Sequence, residues 1–169
     1  MFCTTNKKPL SFLEGPSLVL ELQNGIKIYQ GNKYDAMNVS KLANLGVKYV
    51  VNATKHLPNS GENNNIEYHR IYINDTTSDE FGPFLERAAD WINDKTIKAD
   101  GNVFIHCHAG ISRSSTVTIS FMIKYLGYKS DTALLHIRKG RNIANPNSSF
   151  WKELEQMDRK YEKYGMCAL

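Results

Sequence analysis

The sequence predicts a single α/β domain. Strand-like and helix-like segments alternate along its 169 residues without internal repeats, and a hairpin signal lies near the start. An apolar run from Val103 to Ile105 leads through a polar loop into a long helix-like stretch. This alternation is typical of one sheet that packs against helices. With 41% hydrophobic and 22% charged residues, the chain can bury a sizeable core but has little length for a second domain.

The first half of the chain contains four strand patterns and one helix pattern. Asn24-Gly25 is the strongest short-range hairpin signal, so we expect an antiparallel strand pair at one edge of the sheet. Gly46 would close a short helix, and the β-branched run that follows suits a buried strand. The predicted elements are strands 19–22 and 26–29, helix 39–45, and strands 47–51 and 66–73, the last of which stops at Asn74-Asp75.

The second half of the chain is mainly helical around one strand. Pro83 fits the first turn of a helix, and Gly127 ends the helix that follows the loop. Ser130 and the region of Ser148 are predicted N-caps of two further helices. The predicted elements are a helix from Pro83 with an apolar face of Phe84, Leu85, Ala88, Ala89, Trp91 and Ile92, a strand over 103–105, and helices over 116–126, from Ser130, and over about 150–163.

The loop between strand and helix carries the clearest chemical signal. Residues 106–115 read H-C-H-A-G-I-S-R-S-S. Cys107 would lie where a helix begins, and there unpaired backbone N–H groups and the helix dipole favour thiolate over thiol. Arg113 has a planar fork of donors that matches two phosphate oxygens, and Gly110 lets the backbone curl around an anion. The loop therefore offers an attacking atom and a phosphate cradle.

The spacing His-Cys-x5-Arg-Ser, with Gly110, resembles the signature of the cysteine-based protein tyrosine phosphatases. The loop interior is similar to the dual-specificity branch and its MAP-kinase-phosphatase-like members. This resemblance implies a central, mostly parallel mixed sheet flanked by helices on both faces, with an N-terminal extension over 1–14 and a catalytic domain over 15–165. It also implies that the loop binds substrate phosphate through His108, Ala109, Gly110, Ile111, Ser112 and Arg113.

A cysteine nucleophile needs a proton donor for the leaving oxygen. Asp75 follows the strand pattern 66–73 and precedes Cys107 by 32 residues. Similar dual-specificity phosphatases place their general acid at this position, and parallel neighbouring strands would bring the two loops together. Asp79 and Glu80 are the competing acids, although a solvated loop with a helix-start charge bias explains both.

Four further residues are candidates for the site. Ser114 is placed to donate its hydroxyl to the sulfur. By resemblance, His106 supports the loop from within, and a buried structural histidine is an equally fair interpretation. In similar dual-specificity phosphatases the region of Arg141 lies beside the active site, so the resemblance implies a contact with a second substrate phosphate. The alternative is a basic residue near a helix C-terminus, where the dipole alone favours cations. The Pro146-Asn147 pair resembles one whose amide buttresses catalytic loops, with capping of the final helix as the alternative.

These features predict a metal-independent phosphoprotein phosphatase that acts on phosphotyrosine and phosphoserine/phosphothreonine through a phosphocysteine. No cofactor or metal is expected, because adjacent side chains in His106-Cys107-His108 point apart and no second ligand cluster accompanies them. The expected partners are phosphorylated proteins, with a MAP kinase as a family-level candidate, and a phosphate or sulfate ion in the active site.

Two other classes of function are disfavoured by the loop. A non-catalytic phosphate-binding module would have lost Cys107 or Arg113, and both are present. A phosphatase of lipid, RNA or carbohydrate phosphates could share the fold. Lipid phosphatases of this type usually carry loop lysines, whereas this chain has His108 and Ile111.

The chain carries no sign of secretion or membrane insertion. Cys3, Cys107 and Cys167 are too few and too scattered for a disulfide framework, which favours a cytoplasmic protein that can also be nuclear. Whether Cys3 or Cys167 pairs with an oxidised Cys107 stays open. A net charge of +4 falls short of a nucleic-acid-binding tail, and no apolar run approaches the about 18 residues of a membrane span.

Overall fold

A computed structural model describes residues 15–75 and 81–163, apart from the side chains of Asn63 and Lys163. The strands are β1 (Ser17–Glu21), β2 (Lys27–Gly31), β3 (Val47–Asn52), β4 (Glu67–Arg70) and β5 (Asn102–His106). The helices are α1 (Lys33–Met37), α2 (Val39–Asn44), α3 (Gly82–Lys98), α4 (Arg113–Leu126), α5 (Ser130–Gly140) and α6 (Ser148–Lys163), with a 3-10 turn at Glu62–Asn64.

The strands form one sheet in the order β1-β2-β5-β3-β4. Strands β2, β5, β3 and β4 run parallel, and β1 pairs with β2 in the antiparallel direction at the edge. This arrangement confirms both the predicted fold class and the predicted edge hairpin. The hairpin turn uses Gly25 at a φ of 83°, and the Asn24 side chain donates to Thr96 O (2.9 Å), which ties the turn to α3.

Helices cover both faces of the sheet because its buried strands are apolar on both sides. On β5, Val103 and Ile105 belong to a large core formed with α3, α4, α5 and α6. Phe104, which lies between them, faces the opposite side and joins a smaller core with Ala36 of α1 and Leu42 of α2. The alternation of side chains along one strand therefore divides the core into two layers.

The sequence analysis missed α1 and misplaced the start of α5. Helix α1 begins with a capping box, in which the Asn32 side chain accepts from Asp35 N (3.0 Å) and the Asp35 carboxylate accepts from Asn32 N (2.9 Å). Ser130 is the first residue of α5 and does not cap it. The carboxylate of Asp158 on α6 accepts from Ser130 N (3.0 Å) and performs that role from another helix.

Three predicted details are also corrected. The strand predicted over 66–73 ends at Arg70, and the chain over 71–75 is irregular. The helix predicted from about residue 150 begins earlier, at Ser148. Phe84, which was assigned to the apolar face of α3, is 37% exposed and lies under the guanidinium of Arg87. Within the described ranges, no helix is both long and apolar enough to cross a membrane.

Candidate active site

The 106–115 loop lies at the C-terminal end of β5, which has a parallel neighbour on each side. Central strands of such sheets bring their C-terminal loops to one edge, where ligands bind. Cys107 follows the last residue of β5, and α4 begins at Arg113, so the predicted order of strand, loop and helix is confirmed. The apolar strand and the helix fix both ends of the loop.

The sulfur of Cys107 lies inside this loop. The residue is only 2% exposed, and Gly110 N donates to its Sγ (3.2 Å). Ser114 Oγ, in the first turn of α4, lies 3.5 Å from the same sulfur. When the sulfur is a thiolate, both groups can donate to it. Hydrogen bonds to a charged sulfur favour the ionised form, which is the form that attacks phosphorus.

Gly110 can only be glycine. Its φ is 68°, and a Cβ there would lie 2.6 Å from Gly31 O. The same residue connects two parts of the site, because its N–H faces Cys107 Sγ while its carbonyl accepts from Arg141 Nε (2.6 Å). The tight loop therefore depends on this glycine and on the contact beneath it.

Arg113 keeps donor capacity for a ligand. Its Nη1 donates to Ile73 O at the long distance of 3.5 Å. Its Nε is buried and has no hydrogen-bond partner in the part of the chain that the structure describes. Because a buried unpaired donor costs free energy, the guanidinium suits an anion bound in the loop.

Asp75 is held at the edge of the loop. Its Oδ1 accepts from Ser112 Oγ (2.9 Å) and from Asn147 Nδ2 (2.6 Å), and the residue is exposed. The sequence analysis expected the strand before Asp75 to lie directly beside the strand before Cys107. That expectation was wrong, because β3 lies between β4 and β5. The segment after β4 instead crosses the end of β3, where Ile71 N donates to Asn52 O (3.0 Å). The competing acids Asp79 and Glu80 lie outside the described residues.

Asn147 performs both roles that the sequence left open. Its Oδ1 accepts from Ser149 N and Phe150 N (3.0 Å each), which caps α6. Its Nδ2 donates to Asp75, and its backbone N donates to Ser112 Oγ (3.1 Å). One residue thus joins the final helix, the phosphate loop and the segment that carries Asp75.

Arg141 does not lie where a substrate could reach it. The residue is 0% exposed, and its Nη1 donates to Ser17 Oγ (3.1 Å) and Gln30 O (3.5 Å) while its Nε holds Gly110 O. Burial lowers the pKa of this guanidinium, and the nearby Asp35 acts in the opposite direction. The predicted contact of Arg141 with a second substrate phosphate is therefore wrong. Arg141 instead supports the phosphate loop from beneath, through Gly110 O.

His106 is enclosed beside Cys107. Its ring stacks on Phe104 with 5.7 Å between centroids, and Nδ1 lies 3.4 Å from Cys107 O. Its Nε2 is buried without a partner among the described residues. Burial lowers the pKa of His106 to about 4, so the ring is neutral at physiological pH. This arrangement fits a structural histidine that supports the loop.

The sequence analysis missed a polar network beneath the loop. Gln30 on β2 is fully buried, donates from Nε2 to Ser115 Oγ (2.7 Å) and accepts from Thr118 Oγ1 (3.2 Å). Ser115 Oγ in turn donates to Ile111 O (2.6 Å) at the outer part of the loop. The available signal was Gln30 itself, the one amide side chain of β2, since a buried amide needs partners.

The outer residues of the loop are accessible. His108, Ala109 and Ile111 are exposed, and Lys33 Nζ donates to His108 Nε2 (3.2 Å). No group of three potential metal-ligating side chains occurs within residues 15–75 and 81–163. Cys3 and Cys167, the candidates for redox pairing, lie outside the described residues.

A family model described as "Dual specificity phosphatase, catalytic domain" matches residues 28–160. The chain belongs to the dual specificity phosphatase family. Human dual specificity protein phosphatase 9 is 32% identical over 78% of this chain, and human dual specificity protein phosphatase 1 is 31% identical over 92% of it. The chain spans 34% and 41% of the lengths of these two dual specificity phosphatases.

Solved structures of the dual specificity phosphatase family have the same fold. A mouse putative dual specificity phosphatase, crystallised with zinc tungstate, superposes with a TM-score of 0.80 at 20% identity and covers 89% of this chain and 91% of its own. A human DUSP28 variant also gives a TM-score of 0.80, at 21% identity. The superposition covers 89% of this chain and 98% of the DUSP28 chain. At these identities the likeness establishes the fold.

Proposed function

We propose that this domain hydrolyses phosphate monoesters on tyrosine, serine and threonine side chains of proteins. The observation that carries the proposal is the setting of Cys107 Sγ, which accepts from Gly110 N inside a loop that also presents the Nε of Arg113, which has no partner among the described residues. Family membership supports the same activity. Phosphorylated signalling proteins, a MAP kinase among them, are the proposed partners, and the cytoplasm and nucleus the proposed locations.

The first step transfers the phosphoryl group to the enzyme. Cys107 thiolate attacks phosphorus, so an S–P bond forms as the ester P–O bond breaks. Asp75 delivers its proton to the departing oxygen, which leaves as a neutral alcohol or phenol. Arg113 and the loop N–H groups hold the equatorial oxygens, over which the transition-state charge is spread. Fixing these donors in advance lowers the barrier.

The second step restores the enzyme. A water molecule attacks phosphorus, Asp75 carboxylate accepts its proton, and the S–P bond breaks to release inorganic phosphate. The leaving group is now the thiolate of Cys107, and its charge is stabilised by Gly110 N (3.2 Å) and by the hydroxyl of Ser114 (3.5 Å). Asp75 must therefore be accessible to both leaving group and water, which is consistent with its exposure at the loop edge.

Hydrolysis of p-nitrophenyl phosphate and of phosphopeptides, measured with a metal chelator present, tests the proposal. The wild-type domain should turn over both substrates and be inhibited by vanadate, and Cys107→Ser should reduce turnover to background. Ser120→Ala is a matched control, because Ser120 lies on α4 with its hydroxyl bonded to Val117 O (2.8 Å) and away from the loop. A chelator-sensitive activity, or an active Cys107→Ser variant, would contradict the proposal.

A further inference from the structure

The carbonyl of Ile111, in the phosphate loop, is held by two donors. It accepts from Ser115 Oγ on α4 (2.6 Å) and from Asn145 N in the segment between α5 and α6 (2.9 Å). Because a trans peptide unit is planar, the N–H of Ser112 on the same unit points in the opposite direction. Loops of this kind bind anions through backbone N–H groups. The orientation of the unit between Ile111 and Ser112 therefore decides whether the loop presents a donor or an acceptor there.

The Ser115 hydroxyl has one hydrogen, and its direction is fixed by the groups around it. Ile111 O can only accept, so the hydrogen is donated there. The lone pairs of Ser115 Oγ then need a donor, which is Gln30 Nε2 on β2 (2.7 Å). The other end of this amide, Gln30 Oε1, accepts from Thr118 Oγ1 (3.2 Å). The result is a directional chain of hydrogen bonds from β2 through α4 to the loop.

A reversed Gln30 amide would break this chain. Gln30 Oε1 would then face Ser115 and accept its hydrogen, so Ile111 O would lose its bond from α4. Thr118 could accommodate the reversal, because its hydroxyl also lies within reach of Ser114 O (3.0 Å). Gln30, Ser115 and Thr118 are all 0% exposed, so water cannot substitute for a missing partner. The hold on the Ile111 carbonyl therefore depends on how the Gln30 amide is oriented.

We propose that Gln30 is a positioning residue for phosphoryl transfer, which acts through Ser115 to keep the N–H of Ser112 directed at the transferring phosphoryl group. Gln30 is fully buried, so it does not contact the substrate. The nucleophile and the proton donor are held by bonds that do not include Gln30. Its loss should therefore affect mainly the binding of the equatorial oxygens. The inference rests on the proposed function, because it requires a phosphoryl group in the loop.

The test measures kcat/KM for p-nitrophenyl phosphate in Gln30→Met, in Ser115→Ala and in the double variant. Each single change should lower kcat/KM by about fivefold, which is the effect of one neutral hydrogen bond. If Gln30 acts through Ser115, the double variant should lose no more than Ser115→Ala alone, whereas independent contributions would multiply to about 25-fold.

Inhibition constants separate positioning from a merely structural role. Vanadate resembles the transition state and should bind Gln30→Met about fivefold more weakly, whereas inorganic phosphate, which is the product, should bind less than about twofold more weakly. A residue that only stabilised the fold would lower the unfolding free energy without this difference. All constants are measured at a temperature at which denaturant unfolding shows the variants to be folded. Gln30→Leu provides a second apolar variant should methionine prevent folding.

Ser120→Ala is the matched control for Ser115→Ala and should keep the wild-type constants. Both are fully buried serines of α4, and the Ser120 hydroxyl bonds to Val117 O, away from the loop.

The proposal is overturned if Gln30→Met has the wild-type kcat/KM, or if the two losses multiply in the double variant. Equal weakening of vanadate and phosphate binding would also overturn it. A failure of the proposed function is distinguishable, because the wild type itself would then not hydrolyse p-nitrophenyl phosphate.

Discussion

The floor and the rim of the phosphate loop are built in opposite ways. The floor, formed by Gln30, His106, Cys107, Gly110, Ser114 and Arg141, is almost completely buried, and its polar groups bond mainly to one another. The rim, formed by Lys55, His56, Asp75, His108 and Ile111, is exposed. In the proposed mechanism, the floor positions the nucleophile, whereas the rim meets the leaving group and the rest of the substrate. Arg113, half-buried, lies between them.

This contrast predicts different consequences of substitution. A change in the floor should alter folding stability as well as activity, because each buried polar group there has few partners. A change at the rim should alter rate or preference while the unfolding free energy stays nearly constant. The three predictions below test this division, from the largest expected effect to the smallest.

Arg113→Lys should reduce kcat/KM by about 10³-fold, because lysine has a point charge in place of the planar fork that holds two equatorial oxygens. Vanadate affinity should fall in parallel, since vanadate occupies the same donors. Steady-state kinetics and vanadate inhibition check both. Arg87→Lys, at an exposed position of α3, is the matched control and should resemble the wild type. A fully active Arg113→Lys variant would remove Arg113 from the transition state.

Asp75→Asn should lower kcat/KM, which reports the first step alone, by about 10²-fold on phosphoserine peptides, because an alkoxide is a poor leaving group without a proton. The loss should be much smaller with p-nitrophenyl phosphate, whose leaving group needs little protonation. The unfolding free energy should hardly change, as expected for a rim residue. Asp94→Asn, an exposed carboxylate of α3, is the control. An equal loss with both leaving groups would argue against Asp75 as the general acid.

His106→Gln should change how stability responds to acid. Burial lowers the folded-state pKa of His106 to about 4 from the ordinary 6.5, so folding favours the neutral ring. The neutral ring therefore contributes to the free energy of unfolding in full above pH 6.5. As the pH falls from 6.5 to 4, this contribution decreases by about 3 kcal/mol. Glutamine does not titrate. The difference in unfolding free energy between wild type and variant should therefore shrink by that amount between pH 6.5 and pH 4.

Denaturant unfolding at several pH values measures this difference. His136→Gln is the comparison, because the pKa of His136 is also lowered by burial but its ring is only partly enclosed, so its pH response should be weaker. A constant difference between His106→Gln and the wild type from pH 7 to pH 4 would show that His106 does not titrate as a buried floor residue.

The sequence predicted the parts of the site that are local in the chain. Cys107, Gly110, Arg113 and Ser114 lie within eight residues, and a strand before them and a helix after them leave few possible conformations. Turn and cap residues such as Gly25, Gly46 and Gly127 also placed element ends well, because positive φ is a local property. The capping box at Asn32 and Asp35 was equally local and could have revealed α1.

What the sequence did not predict depends on distant contacts. Arg141 reaches Gly110 and Ser17, which are 31 and 124 residues away, so only the folded chain shows that it lies beneath the loop. The path of Asp75 depends on the insertion of β3 between β4 and β5. The hydrogen bonds by which Asn52 and Arg70 hold Thr54 and Leu57 are of the same kind, since nothing in the neighbouring sequence marks them.

Trapping the covalent intermediate tests the central claim most directly. Asp75→Asn, mixed with p-nitrophenyl phosphate and quenched in acid within one turnover, is digested and analysed by mass spectrometry. The account predicts one added phosphoryl group, located on Cys107 and absent from the Cys107→Ser variant. A phosphoryl group on another residue, or turnover without any enzyme-bound phosphoryl group, would contradict it.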